Sequence, residues 1–110
     1  MEYKKIVLCG STRFKKEFLA VAAQLEGEGK QVLMPIRFEH ADSIYIGARE
    51  RAIIDQDYLK HIENSDAVFV IDVNGYTGES TRKEMVYALE KGKPIFYFSK
   101  GFVEEAYYGN

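Results

Sequence analysis

The sequence predicts an α/β domain built on a parallel sheet, and three observations predict it. Short, continuously apolar runs alternate with longer stretches of helical period. Glycine or proline stands at most of the junctions. The 110 residues, 46% hydrophobic and 29% charged, suit one globular domain over 1–110 and are too few for two.

The first strand is Lys5-Ile6-Val7-Leu8-Cys9, ended by Gly10-Ser11. Phe14, Phe18, Val21, Ala22 and Leu25 then recur on one helical face, and Gly27 and Gly29 stop that helix. Gln31 to Met34 is the second strand, closed by Pro35, and a long loop is expected from Ile36 to Gly47. Ala48 to Asn64 reads as a helix with Ala52, Leu59 and Ile62 inward. Ala67 to Ile71 is the strongest strand, and Asp72 to Gly78 is a polar loop. Thr81 to Lys91 is a helix with Met85, Ala88 and Leu89 inward, ended by Gly92. Pro94 to Phe98 is the last strand, and the tail from Phe102 adds a short helix.

Strands joined by helical crossovers pair in parallel with right-handed connections. The economical arrangement is a flavodoxin-like three-layer domain with a sheet of four to five strands in the order 2-1-3-4. Ligands of such sheets bind outside the carboxyl ends, where the strand order reverses. That selects two loops, Gly10 to Arg13 and Asp72 to Ser80.

Composition narrows the partners. A net charge of −2 is a poor match for a nucleic-acid polymer. The apolar runs are too short to span a bilayer. With Met1 to Lys5 leading straight into a strand, no signal peptide is expected. The single cysteine, Cys9, excludes an intrachain disulfide and fits a reducing cytoplasm.

In the first loop, Gly10 permits a tight turn and Ser11 and Thr12 offer hydroxyls. Arg13 and Lys15 bring charge suited to phosphate or carboxylate. Ser11 or Thr12 is equally suited to capping the helix. No second glycine completes a P-loop. The arginine is two places too early for a cysteine phosphatase, so Cys9 reads as a small buried hydrophobe. In the second loop, Asp72 and Asn74 end the central strand, and Ser80 and Thr81 lead the next helix. Glu84 is expected in that helix's first turn. There it is either the partner of a Thr81-x-x-Glu84 capping box or a carboxylate able to attack an electrophilic carbon. A receiver domain would need an acidic pair where Gly10-Ser11 stands. On the middle helix, Asp57 and His61 share a face, which is by default a solvated one. No Cys/His cluster suggests a metal site.

Together these residues resemble a known family. Leu8-Cys9-Gly10-Ser11-Thr12-Arg13, Asp57 before Ser65-Asp66, Val70-Ile71-Asp72, Gly75-Tyr76-x-Gly78-Glu79-Ser80-Thr81-x-x-Glu84, and Gly92-Lys93-Pro94-Ile95 are similar to the nucleoside 2-deoxyribosyltransferase-like superfamily. That superfamily includes 2'-deoxynucleoside 5'-phosphate N-hydrolases, and the likeness runs from about Ile6 to Phe98. It implies a Rossmann-like sheet, Glu84 as nucleophile at C1', and Asp57 as the acid that protonates the leaving base. It implies sugar or phosphate contacts from Gly10, Ser11, Arg13 and Ser80, with Thr81 beside them. Asp72 and Asn74 would orient the site, and Tyr45 or Tyr76 would stack on the base or simply pack. The partner would be a nucleoside or nucleotide, the protein a homo-oligomer, and no cofactor would be needed. Met85-Val86 after Glu84 departs from the small residue pair of hydrolases and transferases alike, Gly78 six places before it replaces an acidic residue of some transferases, and the chain is shorter than the transferases between Pro35 and Ala48. They point away from base exchange and leave hydrolysis, or binding without turnover, as the alternatives.

Overall fold

A computed structural model describes residues 3–34 and 47–101. The expected loop from Ile36, Tyr45 within it, and the tail from Phe102 lie outside the described residues, Gly47 excepted. Four strands form one parallel sheet: β1 (Lys5–Gly10), β2 (Gln31–Leu33), β3 (Ala67–Ile71) and β4 (Ile95–Tyr97). Three helices connect or flank them: α1 (Lys15–Gly27), α2 (Ala48–Glu63) and α3 (Glu79–Glu90). The order is β2-β1-β3-β4, the economical arrangement expected from the sequence, with the reversal between β1 and β3. No described helix is long and apolar enough to cross a membrane.

Alternation along the strands divides the core into two layers. Ile6, Leu8, Phe69, Ile71 and Phe96 pack with Phe18, Val21 and Leu25 of α1. Val7, Cys9, Val68 and Val70 point the other way, toward Ile62 of α2 and Ala88 of α3. Because both faces are covered, β3 is apolar and buried at every position, and β1 is so from Ile6 to Cys9. The same alternation turns Cys9 toward α3, the helix that carries Glu84.

Two helices depart from the expectation at one inward position each, while Leu59, Ile62, Met85 and Ala88 pack on the core as expected. On α2, Ala52 is exposed, and the buried side follows Ile54, Tyr58 and Ile62 at spacings of four. On α3, Leu89 is 66% exposed while Thr81, Glu84 and Ala88 are buried. The inward stripe of α3 contains two polar residues, which a count of apolar positions leaves out in favour of Leu89.

Gly10 is required by packing. A Cβ there would lie 2.9 Å from the Ile71 carbonyl oxygen, 3.0 Å from Ile71 Cβ and 3.2 Å from Phe18 Cζ. Backbone and two core side chains would have to move. Gly10→Ala is therefore expected to destabilise by about 1–3 kcal/mol, read as a lower denaturant midpoint at unchanged slope.

Asp66 ties the start of β1 to the turn before β3. Its carboxylate accepts from Lys5 N at 2.9 Å and Lys4 N at 3.1 Å. The Lys5 and Lys4 amides, in that order, hold its pKa below the ordinary 3.8. The folded value lies below the unfolded one. Its contribution is thus complete above the unfolded value and is lost as pH falls through the folded one. The stability gap between wild type and Asp66→Asn should stay constant from neutral pH down to about 5, then close in stronger acid. Urea titrations at stepped pH values check this.

Candidate active site

At the carboxyl ends of β1 and β3 lies a cavity of about 440 Å³. It is lined by the β1 loop (Gly10 to Arg13), the β2 end (Leu33, Met34), one side of α2 (Ile54, Asp57, Tyr58, His61), Tyr76, and the start of α3 (Gly78 to Thr81, and Glu84). The two loops selected by the topology rule are thus brought together. Of the residues expected to form the site, Gly10, Ser11, Arg13, Asp57, Tyr76, Ser80, Thr81 and Glu84 all line this cavity.

Asp72 and Asn74 do not, and the expected placement is corrected for both. The Asp72 carboxylate is buried and turned toward the turn after β4. It accepts from Ser99 N at 2.8 Å and from the Ser99 hydroxyl at 2.7 Å. Asn74 stands exposed in a left-handed conformation (φ 54°) within the 3-10 turn Val73–Gly75. Strand-end position brings their loop to the mouth of the sheet, but the Asp72 carboxylate is used by the turn after β4 and Asn74 stands outside the cavity lining.

The β1 loop enters α1 through a 3-10 turn, Thr12–Phe14. The Ser11 hydroxyl accepts from Arg13 N at 3.3 Å and caps this turn rather than the α-helix. Ser11 therefore combines capping with a place in the cavity wall. Arg13 is exposed, and its guanidinium carbon sits 4.6 Å from the centre of the Tyr76 ring.

Helix α3 begins at Glu79, with extended Gly78 as its N-cap and no side chain capping it. Thr81 is consequently the third helical residue and Glu84 the sixth, in the second turn. The capping box falls away, because neither residue stands where it would close the helix start. Glu84 is instead 8% exposed on the wall between cavity and sheet. Beneath it the fully buried Cys9 thiol hydrogen-bonds to the Glu84 side chain. Burial first, then the Glu84 charge and this hydrogen bond, push the thiol pKa well up, so Cys9 stays protonated as a donor. Cys9 is a buried residue, as expected, but one whose polar atom is used.

Sequence reasoning missed Tyr58. Its hydroxyl donates to the Leu8 carbonyl oxygen and reaches the Leu33 carbonyl oxygen at 3.5 Å. This hooks α2 onto the ends of β1 and β2, where backbone acceptors run out of strand partners. The hook sets Asp57 and His61, either side of Tyr58 on the helix, against the cavity. His61 was read as a surface residue; it is exposed, but to the cavity. The i, i+4 pairing with Asp57 was the signal for it. Among the described residues, no group of three or more His, Cys, Asp or Glu side chains is arranged to hold a metal ion.

Comparison with solved structures gives the context for this geometry. A 2-deoxyribosyltransferase from Leishmania mexicana is 22% identical with a TM-score of 0.62, over 86% of this chain and 63% of that one. A 2-deoxyribosyltransferase from Bacillus psychrosaccharolyticus is 22% identical with a TM-score of 0.59, over 84% of this chain and 70% of that one. A CMP N-glycosidase from Clostridium botulinum is 16% identical with a TM-score of 0.53, over 86% of this chain and 70% of that one. The chain thus spans about two thirds of the length of each. No protein-family model and no curated protein sequence matches it. The chain has the α/β fold of these two 2-deoxyribosyltransferases and of the CMP N-glycosidase.

Proposed function

We propose that this protein is an enzyme that cleaves or transfers the N-glycosidic bond of a (deoxy)nucleoside or its 5'-monophosphate, with Glu84 as nucleophile. It would act as a cytoplasmic homo-oligomer. The observation that carries this is the placement of Glu84: a carboxylate 8% exposed that lines a cavity at the switch point of the sheet. Loss of its capping role removes the simplest structural account of the residue. The fold shared with two transferases and a glycosidase supports the same chemistry.

In this reading a Glu84 oxygen attacks C1' and the C1'–N bond breaks, its electron pair staying on the base nitrogen. Asp57 serves as the general acid, and a proton passes through it to the base nitrogen. A glycosyl ester remains on Glu84. Water then attacks C1', gives its proton to the Asp57 carboxylate, and Glu84 is released. This is the two-step logic of retaining glycosidases, with charge developing at C1' in both steps. Cys9 holds the attacking carboxylate from below, and Gly10, Ser11, Arg13, Ser80 and Thr81 surround the sugar and its substituent. No step needs a metal or an organic cofactor.

The test is release of free base from a panel of ribo- and deoxyribonucleosides and their 5'-monophosphates, followed by chromatography. Release from one class of substrate supports the reading and names the class. A protein that binds a nucleotide but releases no base would instead be a sensing module on the same fold, which the uncapped start of α3 would also serve.

A further inference from the structure

We propose that Tyr76 is a positioning residue: it holds the Arg13 guanidinium over the cavity, and the pair selects substrates that carry a 5'-phosphate. The proposal rests on the functional reading above and assigns Tyr76 a task other than stacking on a base.

Arg13 is a long, exposed side chain on a three-residue turn. Left alone it would sample many rotamers, and ordering it on a ligand would cost entropy. The structure supplies a rest for it. Its guanidinium carbon lies 4.6 Å from the Tyr76 ring centre, within the range of a cation–π contact. Tyr76 is itself held from a second direction. The Phe14 ring meets it edge-on, at 5.9 Å and 78°, and Phe14 packs on the core layer beside α1. A line of contacts thus runs from the core through Phe14 and Tyr76 to Arg13, crossing from one cavity loop to the other.

Two consequences follow. The Tyr76 face under Arg13 is covered, so a base cannot stack there. And among the described residues no carboxylate pairs with Arg13, while the nearby Glu79 faces Lys83 at 3.5 Å. A guanidinium whose orientation is already set suits a dianion accepting several hydrogen bonds. The hydroxyl residues Ser11, Thr12, Ser80 and Thr81 line the same cavity as further donors.

The experiment is calorimetric binding to the Glu84→Gln protein, which keeps the ligand intact during the titration. The ligands are a nucleoside 5'-monophosphate and the same nucleoside without phosphate. Tyr76→Leu is expected to weaken the monophosphate about three- to thirtyfold, the size of a cation–π contact, and to leave the nucleoside unchanged. Tyr76→Phe keeps the ring and should restore binding. Arg13→Leu should weaken the monophosphate selectively, and Tyr76→Leu added to it should cost little more. Equal weakening of both ligands by Tyr76→Leu overturns the proposal in favour of base stacking, as does full additivity with Arg13→Leu. Selective loss here, together with a wild-type protein that releases no base from any substrate of the panel, would uphold the pair and sink the enzyme reading, so the two failures are separable.

Discussion

Glu84→Gln should abolish base release, with a loss of at least about a thousandfold in kcat on the best substrate. The substitution preserves shape and leaves an oxygen that can still accept from the Cys9 thiol, so the fold and the cavity wall are kept. What it removes is the charge that forms the bond to C1'. A carboxamide is a far poorer nucleophile, and no other carboxylate described here lines the cavity at comparable depth: Asp57 and Glu79 are both exposed. The loss should fall on kcat, with substrate binding kept within a small factor. Mass spectrometry of quenched wild type should show a glycosyl adduct on the peptide containing Glu84, and the variant should show none. Retention of most of the activity by Glu84→Gln would remove the nucleophile assignment and with it the covalent mechanism.

The fold was legible in this sequence because its determinants are local and repetitive. Ala67 to Ile71 is apolar at all five positions, which only a strand covered on both faces requires. Phe18, Val21, Ala22 and Leu25 keep one helical face without interruption, and all four are buried. The reading failed where polar residues took inward places. Thr81 and Glu84 occupy the stripe of α3 that an apolar count gives to Leu89. They face inward because that side borders a cavity, so the misreading marks the functional wall of the helix. Asp72 failed for a different reason. Its partner, Ser99, is 27 residues away, and no local pattern reveals that its carboxylate is already used. Tyr58 was invisible on the same grounds, since its acceptors are backbone oxygens of Leu8 and Leu33, fifty and twenty-five residues off. Spacing finds residues that share an element. It does not find those that join elements through the backbone.

The same distinction frames the acid. Asp57 and His61 both line the cavity from one face of α2, and side chains of both types serve as general acids in enzymes. The proposed mechanism gives the task to Asp57, and a leaving-group experiment separates the two. Asp57→Asn should lower kcat about a hundred- to ten-thousandfold on an ordinary nucleoside or nucleotide, the usual worth of a positioned acid. The same variant should lose far less, within about tenfold, on a purine substrate methylated at N7. Its base already carries the positive charge that protonation would supply, so it leaves without help and the acid has nothing to contribute. His61→Gln should stay within about tenfold of wild type on both substrates, since the amide keeps a polar group on that wall and removes only the imidazole. The pattern is diagnostic because a side chain that merely shapes the cavity would be missed equally by both substrates. If the substrate-dependent loss appears in His61→Gln and not in Asp57→Asn, the proton comes from the imidazole. In that case Tyr58 hooks α2 to the strand ends to present His61, one turn beyond Asp57.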